Sequence, residues 1–283
     1  MVRLNHPGAD VYVPDGVSEE EALARTTHLC VGAHQDDIEI MAYQGIAQCY
    51  QKKDLWFTGV TVTNGSGSPR AGIYGDFSDE EMMAVRREEQ RKAAFVGGYS
   101  IQYQLGYPSS AVKTPPAGEV VEDLFRIFQA ARPATVYLHN PADKHLTHVA
   151  CLARALEALR RLPGEDRPAK VLGVEIWRDL DWLPDDEKVT LDVSARQNLA
   201  AALLGIFDSQ VAGGKRYDLA AQGRRLANAT FFASHDVDET EALTFALDLT
   251  PLVKDPELSL VDFTLAAVDR FKAQVESVLR KLL

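Results

Sequence analysis

The sequence predicts an α/β fold: a Rossmann-like, mostly parallel sheet flanked by helices, followed by a mostly helical C-terminal elaboration. Three observations predict it. The strand-like segments are near-continuous apolar runs, as in strands covered on both faces, and do not alternate apolar with polar. They are separated by helix-period stretches, the β-α-β-α order that builds a parallel sheet. No internal repeat or low-complexity linker divides the chain, and 283 residues fall within the range of a single α/β domain. We therefore read one domain over 1–283, with a core over about 27–178 and the elaboration over about 179–283.

The elements follow in order. "HLCVGA" (28–33) reads as a buried strand, "DIEIMAYQGIAQCYQ" (37–51) as a helix and "LWFTGVTVT" (55–63) as a second strand. "NGSGSPRAGIYG" (64–75) is too rich in Gly, Ser and Pro for regular structure. The stretch from Ser78 opens with a capping box, Ser78 at the N-cap and Glu81 three positions on, and ends in the glycines that suit a helix terminus. A third strand follows at 100–107, a helix at about 118–131, a fourth strand at 134–140 and a helix at 147–162. "KVLGVEIW" (170–177) makes a fifth strand. Beyond residue 180 a short strand (189–194) precedes helical stretches near 195–208, 215–230 and 259–282.

Composition excludes several function classes. Hydrophobic residues make up 46% and charged ones 25%, ordinary for a globular protein able to bury a core. The net charge of −11 disfavours nucleic acid and anionic membrane as partners, and the basic stretch "RREEQRK" (86–92) is interleaved with acids. Three widely spaced cysteines form neither a disulfide framework nor a zinc knuckle. The N-terminus lacks the apolar core of a signal peptide, and the longest apolar run, 199–207, is too short to span a bilayer. The expectation is a cytoplasmic protein with a small-molecule substrate, no nucleic-acid partner and no membrane insertion. Nothing in the sequence speaks against a homo-oligomer.

The chemistry concentrates at two strand ends, where open parallel sheets gather ligands. "AHQDD" (33–37) follows the first strand and "HNPADKHLTH" (139–148) contains the end of the fourth. Together they hold four histidines and three aspartates. A catalytic zinc takes three ligands from His and carboxylate and keeps a fourth position open. His34 and Asp37 reach inward from one turn, and His145 and His148, three apart, share a face if a helix starts there. The set also leaves a His and an Asp for proton transfer and oxyanion stabilisation. Taken singly, Asp36 or Asp37 also reads as a helix N-cap, and His148 as an ordinary helix residue. Their coincidence at two ends of one sheet favours a site.

These residues carry a family resemblance. "GAHQDDIE" resembles the A-H-P-D-D-x-E motif of the PIG-L/LmbE superfamily of N-acetylglucosaminyl deacetylases. "HLTH" resembles that family's H-x-D-H or relaxed H-x-x-H motif, and "RREEQRKAAFVGG" (86–98) its R-x-x-E helix. The resemblance covers roughly 27–178. It implies that His34, Asp37 and His148 bind one divalent metal ion, Zn2+ in most of the family. It further implies that Asp36 is the general base, that His145 assists the oxyanion, and that Arg86 contacts an amino-sugar substrate. Two positions depart from the pattern. Gln35 stands where the family has proline, so the turn loses a fixed φ. Thr147 stands where the family commonly has an aspartate that orients a histidine, and Asp143 is a candidate substitute for it.

Further candidates are Arg70 and Asn64, in the Gly-rich loop, for sugar hydroxyls. His235 is a candidate because some relatives bring a C-terminal histidine to the site, although it also reads as a surface residue. His139 either lines the pocket or caps its strand. Trp177 reads as a sugar-stacking or a core residue. Glu39 reads as support for a ligand or as a first-turn acid favouring the helix dipole. The expected activity is zinc-dependent hydrolysis of the acetamido group of an N-acetylglucosamine-like sugar, releasing acetate. Two rivals remain: a non-haem iron enzyme with the same two-His one-carboxylate set, and a catalytically silent carbohydrate-binding relative.

Overall fold

In the computed structural model, which describes residues 1–283, the continuous apolar runs become the middle of one eight-stranded sheet. The strands are β1 (Asp10–Tyr12), β2 (His28–Gly32), β3 (Phe57–Thr63), β4 (Ile101–Tyr107), β5 (Thr135–His139), β6 (Lys170–Val174), β7 (Lys188–Asp192) and β8 (Leu243–Asp248). Across the sheet their order is β1-β4-β3-β2-β5-β6-β8-β7. The five central strands, β4 to β6, are mutually parallel. β1 joins β4 antiparallel at one edge, and β8 runs antiparallel to both β6 and β7 at the other.

The helices are α1 (Glu19–Ala24), α2 (Asp37–Met41), α3 (Tyr43–Cys49), α4 (Asp79–Gly97), α5 (Ser109–Lys113), α6 (Gly118–Ala131), α7 (Leu146–Arg160), α8 (Gln197–Gly205), α9 (Asp208–Val211), α10 (Tyr217–Phe231), α11 (Thr250–Lys254) and α12 (Leu260–Leu282). They form the expected two cover layers. Successive residues of β2 point to opposite faces. Leu29 and Val31 pack into the layer of α6 and α7, with Leu124, Phe128 and Leu152. Cys30 packs into the layer of α2 to α4, with Ile38, Ile46 and Ala93. The capping box on α4 is present: Glu81 N–H donates to Ser78 Oγ at 3.2 Å and Ser78 N–H to the Glu81 carboxylate at 2.8 Å. That helix ends at Gly98, whose φ of 63° is the left-handed geometry glycine adopts freely.

Three elements differ from expectation, each for a visible reason. The helix over 37–51 is broken at Ala42, because Arg225 Nη2 donates at 3.0 Å to the carbonyls of Glu39 and Ile40, where the helix would continue. The fifth strand stops at Val174 and not at 177, because the Asp143 carboxylate accepts the Trp177 and Arg178 N–H groups at 3.1 and 3.3 Å and turns the chain out of the sheet. The C-terminal elaboration is mostly helical, as its periodicity suggested, but it holds one strand more than expected. It contributes β7 and also β8, a buried strand that the sequence reading left unassigned.

β3 and β4 lie to one side of β2, and β5 and β6 to the other. The connection therefore reverses direction between β2 and β5, and the crevice at the carboxyl ends of those strands is where a ligand is expected.

Candidate active site

That crevice holds both polar clusters. β2 delivers His34 and the turn into α2 delivers Asp36 and Asp37, while β5 ends on His139 and α7 starts at His145 and carries His148. The turn is tight. Asp36 has φ 101°, a left-handed region that side-chain-bearing residues avoid, at a typical cost of about 1–3 kcal/mol. Its neighbours hold it there. Asp36 N–H donates to Gln90 Oε1 at 3.4 Å, and Arg86, 1% exposed, lays Nη2 on the Gln35 carbonyl and 3.2 Å from Asp36 Oδ2. Gln35 replaces proline's fixed φ with side-chain bonds, donating to Thr63 O at 3.2 Å and Gln104 Oε1 at 3.3 Å.

Three groups form a triangle. His34 Nδ1 lies 3.2 Å from His148 Nε2 and 3.4 Å from Asp37 Oδ2, and His148 Nε2 lies 3.4 Å from the other carboxylate oxygen, Asp37 Oδ1. A tetrahedral zinc with ligands at about 2.0–2.1 Å would set them about 3.3 Å apart, so the donor set fits such an ion in both identity and spacing. The groups behind the triangle also fit. His148 Nδ1 lies 3.4 Å from Asp143 Oδ1, a carboxylate that also accepts the His145 N–H at 2.8 Å. A carboxylate behind a metal-facing histidine directs its other nitrogen at the metal.

His145 and His139 are alternative donors in the same cluster, since His34–His145–His148 and Asp37–His139–His148 each bring one ligand atom per residue close together. The two differ. His139 Nε2 accepts the Ala33 N–H at 2.9 Å, which engages that lone pair and ties β5 to the end of β2. The half-buried His145 stacks on His148, ring centroids 4.6 Å apart, and lines the open cavity.

The electrostatics separate two adjacent aspartates. Burial pushes the Asp37 carboxyl up, but His148 first and then His34 and His139 overcome it and hold the group well below the usual carboxylate range. Burial pushes Asp36 up to about 7, against the pull of Arg86 and with the help of Asp37. His145 is pushed down to about 4, by burial first and then by His148 and His34. Burial lowers His34 and, further, His139, while Asp37 and Asp143 outweigh burial at His148 and raise it. The surroundings thus favour the anion at Asp37 and disfavour it at Asp36, the division of labour a ligand and a base require.

The remaining candidates are not all gathered here. Arg70 donates to the carbonyls of Ser66 and Phe77 and pairs with Asp79, so it braces its own loop. Asn64 Oδ1 accepts the Ser66 N–H at 3.1 Å, also within the loop. His235 is exposed, after α10, and borders neither cavity of the crevice. Glu39 is fully buried but touches no member of the triangle; its Oε1 accepts from Gln90 and Tyr99. Trp177 does line the crevice, facing Tyr217 in a T-shaped contact with centroids 5.7 Å apart. Tyr217 and Gln210, which also line it, lie in a part of the sequence with no motif to flag them.

Comparison with known proteins agrees with this geometry. Residues 29–159 match the family described as PIG-L, GlcNAc-PI de-N-acetylase. No curated protein sequence matches the chain. Among solved structures, the 4-carboxy-2-hydroxymuconate hydratase of Pseudomonas putida is similar at 17% identity and a TM-score of 0.60, over 83% of this chain and 98% of that one. The N,N'-diacetylchitobiose deacetylase of Pyrococcus horikoshii is similar at 19% and 0.59, over 78% and 84%. A zinc-inhibited form of a teicoplanin deacetylase is similar at 16% and 0.56, over 78% and 97%. At such identities the structures speak for the fold, and the family match speaks for the motifs that the crevice assembles. Over residues 29–159 the α/β core of this chain is similar to the family described as PIG-L, GlcNAc-PI de-N-acetylase, and its fold is that of solved N-deacetylases.

Proposed function

We propose that the chain is a zinc-dependent N-deacetylase that hydrolyses the acetamido group of a small N-acetylglucosamine-like sugar or conjugate and releases acetate. The observation that carries the proposal is the His34–Asp37–His148 triangle, with the proton-exchanging Asp36 beside it at the mouth of an open cavity. The cavity, about 310 Å³, is lined mainly by polar groups, among them Arg86, Ser109, Lys113, His145 and Gln210, and suits a hydroxylated ring.

In this reading His34, Asp37 and His148 hold the ion, which when bound acidifies water and polarises a carbonyl oxygen. Asp36 takes the proton of the attacking water and returns it to the departing amine. Arg86 fixes the Asp36 carboxylate from behind through the contact at Oδ2 and leaves Nη1 without a partner within the protein. His145, kept neutral by its surroundings, donates an N–H to the amide oxygen as charge develops on it. The turn is preorganised, because Gln90 and Arg86 hold Asp36 at its φ of 101°.

The fold also carries a hydratase, so fold alone does not select the reaction. The test is acetate release from N-acetylglucosamine, its short oligomers and simple N-acetylglucosaminides, with N-acetylated amino acids as comparison, before and after chelation and zinc return. Zinc-restored turnover of the sugars supports the proposal. Absence of acetate from every sugar by metal-loaded protein overturns it, and oxygen consumption with iron bound would favour an oxygenase.

A further inference from the structure

A second cavity, about 230 Å³, opens beside the first. Asp36, Asp37, Trp177 and Tyr217 line both, so the two spaces meet at the base and the metal-facing carboxylate. The second differs in character. Its walls are Ile40, Ile176, Ala220 and Ala221 together with the two shared aromatic rings, and α10 supplies its roof. Glu175, Arg224, Arg225 and Thr244 interrupt the apolar lining, and two of them carry an unpartnered atom. Glu175 Oε1 accepts from Asn228 at 2.6 Å and from Phe245 N–H at 2.9 Å, while Oε2 has no partner within the protein. Arg225 Nη2 is spent on the α2 carbonyls, while Nη1 has no partner.

We propose that this second cavity is an acyl chamber, and that the enzyme removes from an amino sugar an acyl group larger than acetyl: a ring-sized, largely apolar group ending in a hydrogen-bonding substituent such as a hydroxyl. The proposal deepens the deacetylase reading and rests on it. The scissile amide must lie where base and metal ligand meet, which is the junction of the two cavities. From its carbonyl carbon the two halves of the substrate diverge. The hydroxylated amine half suits the polar cavity, and the acyl half points into the other. A group attached on the far side of the sugar leaves through the polar cavity and does not return through the junction.

Size and polarity set the chemical class. An apolar cavity of about 150 Å³ already binds benzene, so this one holds a ring and a short linker. A buried polar atom with no protein partner takes one from water or ligand. A hydroxyl can donate to Glu175 Oε2 or accept from Arg225 Nη1, which an acetyl methyl cannot. In the reaction the water oxygen bonds to the acyl carbon, the C–N bond breaks and the proton goes to the amine. The products are an arylacetic-type acid and a free amino sugar, with no redox change.

The experiment compares kcat/KM for N-acetyl-, N-butanoyl-, N-phenylacetyl- and N-(4-hydroxyphenylacetyl)glucosamine, read as released glucosamine from zinc-loaded protein. We expect the phenylacetyl compound to exceed the acetyl one by about tenfold or more, since each methylene well housed in an apolar pocket is worth about 10-fold or more. The hydroxylated compound should be better still. Ala221→Phe fills the chamber and should lower the phenylacetyl-to-acetyl ratio by about tenfold. Ala220→Phe, at a more exposed position of the same helix, provides a second filled variant, and melting curves verify that each folds. Turnover of the acetyl compound alone, or a ratio that neither folded variant changes, overturns the chamber and leaves the deacetylase standing. Failure to cleave any of the four overturns both.

Discussion

Asp36→Asn separates the proposed base from the proposed ligands more cleanly than any other substitution. It keeps the shape of the side chain and an oxygen for the Arg86 contact at 3.2 Å, but it cannot take a proton. A positioned proton-transfer group contributes about 10²–10⁴ in rate, so kcat for acetate release should fall by about that factor, or roughly 3–5 kcal/mol of barrier. Stability should move the other way in the metal-free protein. Burial outweighs Arg86 and lifts the Asp36 carboxyl to about 7, so the ionised group is worse accommodated in the fold than in the unfolded chain. Removing it relieves a strain on the order of 1–3 kcal/mol above neutral pH, a rise of a few degrees in Tm for a chain of this size. The measurements are zinc content, kcat with N-acetylglucosamine, and melting of the chelated protein at pH 8. Unchanged kcat removes Asp36 from the mechanism. Loss of zinc makes it a ligand. A Tm lowered by several degrees would mean that the Arg86 pairing outweighs burial.

Other substitutions test other parts of the crevice. His148→Ala should abolish stoichiometric zinc binding together with activity, and full zinc occupancy in that variant would refute the ligand set. Asp143→Asn should weaken zinc about 10–100-fold, as expected for the carboxylate behind a ligand histidine; an unchanged affinity measured against a competing chelator would show that Asp143 serves only the local backbone. Arg86→Ala should lower kcat more than it raises KM, because its guanidinium sits on Asp36; a pure KM effect would restore it to substrate binding. Glu175 is raised by burial to about 7 from an ordinary 4.5, so the fold prefers it protonated. Its stability contribution is complete below about pH 4.5 and is lost as the pH rises through about 7, on the order of 3 kcal/mol in all. Glu175→Gln should therefore match the wild-type Tm near pH 4.5 and exceed it at pH 8, and parallel melting curves at the two pH values would refute the assignment.

The sequence carried the sheet and the triangle for the same reason: both are written in local pattern. The apolar runs at 28–33, 55–63, 100–107, 134–140 and 170–177 can be buried only in a parallel sheet, and the switch between β2 and β5 then brings "AHQDD" to "HLTH". Long-range contacts were not visible. Nothing near Arg86 says that its side chain folds onto Asp36 fifty residues away while it also lines the cavity. Arg70 reads in the sequence as a cation in a Gly-rich loop, yet both its terminal nitrogens are engaged by the loop's own carbonyls and Asp79, and only Nε lacks a partner. Gln35 was read as the loss of a proline constraint, whereas its amide restores that constraint through Thr63 and Gln104. β8 was missed because its six residues lie between helical stretches and pair with β6 and β7, strands distant in sequence.

The C-terminal elaboration bears on the catalytic turn through the same residue that ends α2. Arg225, on α10, donates at 3.0 Å to the carbonyls of Glu39 and Ile40, two and three residues past Asp37. Tyr43, just beyond the break, donates its hydroxyl to the carbonyls of Ala195 and Arg196 at 2.8 and 2.6 Å. The short helix that begins at the proposed metal ligand is therefore fastened at its far end by segments 152 to 186 residues away. Because Arg225 also lines the second cavity, a ligand there touches the group that fixes the end of α2. Arg225→Ala should free the two carbonyls and loosen that helix, weakening zinc binding as well as the preference for larger acyl groups. If zinc affinity is unchanged while the acyl preference falls, the Arg225 bonds serve the chamber alone, and the turn at Asp36 and Asp37 is held by Arg86, Gln35 and Gln90 without help from the C-terminal segment.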